Sequence, residues 1–224
     1  MDSDHTKCLF LSLGENCLVD DVLQRHGLKV FSTPYSFARS NIDYAIELEK
    51  TDYDTLLSKD NLYYAEDGKV VRSNTIKDSD NIYDFQHLNG FEFTHHDIIS
   101  DPRQMESYKR KIDRMKKLKS SKDVICFMYH YRYNKNMNVQ KIIDKAATFL
   151  TYYNSRAFMA VFFQNIQSEN RGVVEKRVRD NVMMFEFITP YVWEGTDKTK
   201  FFAKSEDDLM TIMLNGIKFA AKQR

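Results

Sequence analysis

Apolar and polar positions change period several times along the chain, and each change marks an expected element. Residues 7–13 (KCLFLSL) form a short apolar run that stops at Gly14, as a buried parallel strand does. From Asn16 the spacing turns helical: Leu18, Val19, Val22 and Leu23 recur on one face, and Gly27 closes the segment as a helix C-terminal glycine. Residues 29–32 read as a second strand stopped by Pro34, and residues 41–50 as a helix bearing Ile42, Ala45, Ile46 and Glu49. Over residues 51–93, polar turns (Glu66-Asp67-Gly68 and residues 77–80) separate aromatic pieces such as residues 61–64 and 82–85. That pattern predicts an insertion of small strands and loops, after which Phe91-Glu92-Phe93 leads into Thr94-His95-His96-Asp97.

The second half is more regular. Tyr108, Ile112, Met115 and Leu118 share one helix face within residues 103–119, and residues 123–130 (DVICFMYH) are a strand. A helix follows on Val139, Ile142, Ile143, Ala146, Ala147 and Leu150, then strands at 157–164 (AFMAVFFQ) and 182–188 (VMMFEFI). Ser205 is the expected cap of a last helix whose Leu209, Ile212, Met213, Gly216 and Ile217 face inward. Repeated strand–helix alternation means right-handed crossovers, hence an α/β three-layer sandwich with a mostly parallel sheet. With no repeat period and no low-complexity linker, residues 1–224 are expected to form a single domain.

Composition narrows the class without changing this picture. Of 224 residues, 42% are hydrophobic, 29% charged and 13% aromatic, a balance that fits a packed core rather than a disordered chain. A net charge of +1 argues against nucleic acid as a partner. Three scattered cysteines do not make a secreted disulfide framework. The polar, acidic start and the shortness of the first apolar run fit neither a signal peptide nor a membrane span. A cytoplasmic location is therefore expected.

Candidate chemistry concentrates at Gly14-Glu15-Asn16-Cys17, between the first strand and the first helix. Ligands in open α/β sheets sit beyond the carboxyl ends of strands, and a cysteine at a helix start gains from free N–H groups that favour thiolate. Gly14 permits a tight turn, and Asn16 offers an amide to a developing oxyanion. Cys8 and Cys126 lie inside strand runs and read as buried packing residues. A thiolate nucleophile needs a base, most often His. Among six histidines, His130 ends a strand, and His95-His96 carries Asp97 next door. His5, His26 and His87 sit at the terminus, at a helix end and in a loop. Adjacent strand residues point opposite ways, so one of His95 and His96 at most faces Cys17. Adjacent ligands chelate poorly and no other cluster has ligand spacing, so neither a metal nor another cofactor is expected. The basic helix carrying Arg110 and Arg114 reads as a solvated face or as an anion contact. No P-loop, G-x-G-x-x-G or G-x-S-x-G is present.

Taken in order, Leu13-Gly14-Glu15-Asn16-Cys17, Leu23, His26-Gly27-Leu28 and Pro34-Tyr35-Ser36-Phe37 resemble the opening of an uncharacterised bacterial and viral family described as papain-like cysteine peptidases. Phe93 to Asp97, Tyr108 to Arg114 and Val124 to Phe127 follow the family's later order, and the resemblance spans roughly residues 7–165. It implies Cys17 as nucleophile and His96 as base. Ser36 stands where that family carries Asp. The strand–cysteine order is also similar to cysteine-bearing SGNH-hydrolase-like and capsule-biosynthesis proteins, which have three-layer α/β folds. The combined expectation is a cysteine-dependent hydrolase or acyltransferase acting on an ester, thioester or amide, from a small-molecule or glycan substrate. Cys17, His96 (or His95), Asn16 and Asp97 would carry catalysis, with Gly14, Glu15, Arg110, Arg114 and His130 binding substrate. The alternatives are a non-catalytic binder of an anionic glycan or nucleotide-sugar, and a peptidase proper.

Overall fold

Strand β1 (Cys8–Gly14) lies beside β5 (Val124–His130) in parallel register, Phe10 opposite Cys126 and Leu11 opposite Phe127, in a computed structural model of the chain. The structure describes residues 7–65, 68–74, 91–132, 138–167, 169–191 and 205–224. The expected pieces at 77–80 and 82–85, and the residues His5, Glu66, Asp67 and His87, lie outside them. From β5 the sheet extends through β6 (Phe158–Ile166) to β8 (Val182–Thr189), both parallel, and ends on β7 (Gly172–Arg179), which is antiparallel to β8.

Alternation along these strands makes two cores. Leu9, Leu11, Leu13, Ile125, Phe127 and Tyr129 face α2 (Ile42–Lys50), α3 (Pro102–Leu118) and α4 (Val139–Leu150). Phe10, Cys126, Met128, Phe158, Ala160 and Phe162 face α1 (Leu18–Arg25) and α5 (Asp207–Lys222). Helices thus cover both faces of a mostly parallel sheet, the architecture expected. Caps are local: Asn41, Asp101 and Asn138 each accept a first-turn N–H with their side chains. A second sheet, β2 (Leu62–Ala65), β3 (Val70–Ser73) and β4 (Phe91–Glu92), is antiparallel and falls in the stretch read as small strands.

Three expectations need correction. Residues 29–32 form no strand; one bridge links Lys29 to Phe10. Edge strand β7 was missed because GVVEKRVR leaves Val174, Glu175 and Lys176 exposed and offers no apolar alternation. In α5 the capping position is Glu206, and Ile212 is 56% exposed, so the buried stripe runs through Leu209, Met210, Met213, Leu214 and Ile217. No helix of the described residues is long and apolar enough to cross a membrane.

Phe127 is fully buried, with the rings of Phe149 and Tyr153 at 5.0 and 4.7 Å. Phe127→Ala is expected to lower the urea-unfolding free energy by about 3–5 kcal/mol, since both lost transfer energy and an unfilled cavity contribute.

Candidate functional site

The turn after β1 is shaped by Gly14, whose φ of +119° suits glycine and where an added Cβ would meet the Ser40 Oγ at 3.2 Å. Glu15 is fully buried. Its N–H donates to the His130 carbonyl (3.3 Å) and its carbonyl accepts from the Ser40 N–H (3.0 Å). Its carboxylate accepts from the Tyr129 hydroxyl and from the Arg132 N–H at 3.0 Å. Neither Gly14 nor Glu15, both expected to touch substrate, is among the described residues that line the cavity described next, and both shape the turn. Asn16 is 1% exposed; its Oδ1 accepts from the Leu18 N–H at 2.9 Å, substituting for a capping side chain. The Asn16 Nδ2 is buried with no partner among the described residues. Cys17 occupies the N-cap of α1 and is half-buried.

A cavity of about 120 Å³ opens over this turn, lined by Asn16, Cys17, Phe37, Ala38, Arg39, Thr94 and His95. Two segments build its other walls. Phe37 holds a left-handed conformation (φ 56°), its N–H donating to the buried Asp20 carboxylate at 3.1 Å. Asp20 is also paired with Lys29 at 2.8 Å. Arg39 and Glu92 exchange backbone bonds of 3.0 and 2.9 Å, which lays β4 alongside and carries Thr94 and His95 over to Cys17. Ser36, at the position of the family's Asp, is buried and its Oγ accepts from the Thr33 N–H at 3.0 Å, closing the preceding turn.

His95, exposed, is therefore the histidine that shares a cavity with Cys17, whereas the resemblance implied His96. His96 is half-buried, packs edge-on against Tyr108 (ring centroids 5.2 Å apart), and lines a neighbouring depression of about 300 Å³ with Tyr64, Asp97 and Gln104. Asp97 accepts from Ser100 Oγ (2.5 Å), the N–H groups of Ser100 and Ile99 (3.0 and 3.2 Å) and the Tyr64 hydroxyl (3.0 Å). It caps a turn and lines that depression, not the Cys17 cavity.

The expected substrate contacts at a distance from the turn also fall elsewhere. His130 is buried, its Nε2 bonded to Gln164 Oε1 at 2.9 Å and its ring stacked on Phe162. Arg110 is exposed on α3, outside the cavity wall. Arg114 donates to the Ser32 carbonyl at 3.0 Å and lies over Phe31, bracing the segment before Pro34. Arg39 and Thr94, by contrast, went unselected in the sequence because only the pairing of segment 39–40 with β4 brings them to Cys17. Among the described residues, no group of three or more His, Cys, Asp or Glu side chains could hold a metal ion.

Burial raises the Cys17 thiol above its usual range; its own N–H opposes this, Asp20 adds to the rise, Arg39 lowers it and Asp21 raises it. The N–H at the helix start favours the thiolate as expected, and burial outweighs it. Burial, helped by Lys111 and His95, pushes His96 down to about 4, and burial pushes His130 down to about 3 against the effect of its hydrogen bond to Gln164 Oε1.

A family model described as "Putative papain-like cysteine peptidase (DUF1796)" matches residues 8–168, well over half of the chain. No curated protein and no solved structure matches.

Two outcomes test this architecture. Glu15→Ala leaves the Tyr129 hydroxyl and the Arg132 N–H without their shared acceptor, and should cost about 3–5 kcal/mol in denaturant unfolding. Neutral His96 and His130 resist protonation when folded but not when unfolded, where the reference value is 6.5. Stability should therefore fall as pH drops from about 6.5 toward 4, and His130→Gln should flatten that fall in pH-dependent melting.

Proposed function

The chain belongs to the family so described, and on that premise we propose a cysteine-dependent acyl hydrolase or acyltransferase, with Cys17 as nucleophile and His95 as proton carrier. The observation that carries this reading is the Asn16 Nδ2, a buried amide donor without a partner among the described residues, on a side chain that lines the Cys17 cavity. Such a group costs free energy in the resting protein, and a developing oxyanion would satisfy it.

The chemistry follows from what lines the cavity. Because burial disfavours the Cys17 thiolate, the thiol proton leaves as the attack begins, with His95 as the general base that takes it. Cys17 Sγ bonds to the carbonyl carbon of an ester, thioester or amide, and the oxygen takes up negative charge against Asn16 Nδ2. Collapse expels the leaving group, which takes the proton from His95. Water, or an acceptor alcohol or amine, then attacks the Cys17 thioester and regenerates the thiol. A cavity of about 120 Å³ suits a small acyl group better than an extended peptide, which favours acyl transfer over general proteolysis.

Incubation with p-nitrophenyl acetate or a short acyl thioester should yield an acyl adduct on the Cys17 peptide by mass spectrometry. Cys17→Ala should abolish it. Asn16→Asp keeps the oxygen that accepts from Leu18 but removes the donor, and should slow acylation by about 10²-fold or more. No adduct on Cys17 above that on half-exposed Cys8 would sink the proposal.

A further inference from the structure

We propose that the Cys17 cavity selects acyl substrates carrying an anionic group, such as a carboxylate or phosphate close to the reacting carbonyl, and that Arg39 is the residue that reads it. This rests on the preceding reading of Cys17 and names the substrate class for it.

Among the described residues, the cavity wall contains one guanidinium, one imidazole and no carboxylate. Acids do lie behind it, but each is engaged. Glu15 accepts from Tyr129 and Arg132, and Asp20 pairs with Lys29 and accepts from Phe37. Asp21 pairs with Arg25 at 2.8 Å. Glu92 is the acid nearest Arg39, and Arg72 claims it with two bonds of 3.0 and 2.8 Å through Oε2. Its Oε1 accepts from the Thr94 hydroxyl at 3.2 Å and meets Arg39 only at 3.4 Å. One buried carboxylate therefore faces two guanidiniums, and the closer bonds belong to Arg72.

Arg39 keeps about a third of its side chain exposed (34%) and reaches Cys17 electrostatically, since it lowers the thiol's pKa. Arg132, partly buried, also interacts electrostatically with Cys17, after a larger interaction with Glu15. A partly exposed guanidinium in the wall of a small cavity binds a carboxylate or phosphate better than a neutral group. Asn16 Nδ2 would serve the oxyanion while Arg39 serves the substrate's permanent charge, so the two donors have separate duties.

Iodoacetate and iodoacetamide are nearly the same size, lose the same iodide and form the same S–C bond, but only the first is anionic. Their rate ratio at Cys17, measured by peptide mass spectrometry from pH 6 to 10, cancels any change in thiolate population. Relative to a small model thiol, the ratio should favour iodoacetate by about tenfold at low ionic strength and fade at 1 M salt. Arg39→Gln should return it to the model value, and Arg39→Lys should retain part of it. A wild-type ratio equal to that of the model thiol, or a preference that survives Arg39→Gln, overturns the assignment. Should Arg39→Gln fail to fold, the salt dependence of the wild-type ratio decides alone. The two readings fail separately. A Cys17 that acylates without any anion preference refutes only Arg39. A Cys17 that shows the Arg39-dependent ratio but never acylates refutes only the catalytic role.

Discussion

A carboxylate enclosed at the carboxyl end of β1 holds this part of the molecule together. Glu15 has no exposed surface, and its side chain and backbone together tie the turn to Tyr129, His130, Arg132 and Ser40. An isolated charge in such a place would be very costly, so the donors must converge on it, and their convergence fixes where the turn can lie. Cys17 inherits its position from that lock, two residues further on.

The same device recurs. Glu92 joins Arg72 on β3, Thr94 and Arg39, and so sets the strand that delivers His95. Glu49, fully buried on α2, accepts from the hydroxyls of Tyr53 and Tyr153 at 2.6 and 2.5 Å and pairs with Lys119 at 3.0 Å, locking α2 to the ends of α3 and α4. Asp20 pins Phe37. In each case a buried acid ties segments that are far apart in sequence, at a point where apolar packing alone would specify no particular register. Buried acids at these joints serve position more than net stability.

A site built this way has a consequence for its chemistry. The enclosure that fixes Cys17 also desolvates its sulfur, and burial opposes the thiolate that a helix start would favour. An exposed imidazole, His95, and the guanidinium of Arg39 line the same cavity, both brought in by segments outside the sheet. The side chain of Asn16 is part of the same enclosure: its Oδ1 accepts from the Leu18 N–H, and its Nδ2 is buried without a partner among the described residues.

Much of this was legible in the chain itself. Apolar runs fixed four of the five main strands, helical spacing located α1 to α5, and the glycine-to-cysteine turn marked where chemistry would gather, because strand and helix periods are local properties. Edge strand β7 and the exposed Ile212 escaped because one-sided exposure erases the period that reveals an element. Choosing between His95 and His96 was beyond the sequence, since neighbours differ only in the direction that tertiary packing gives them. Arg39 was equally hidden, one of many arginines until the bridge to Glu92 set it beside Cys17. Local period determined the elements; the long-range pairing of buried acids decided which side chains meet.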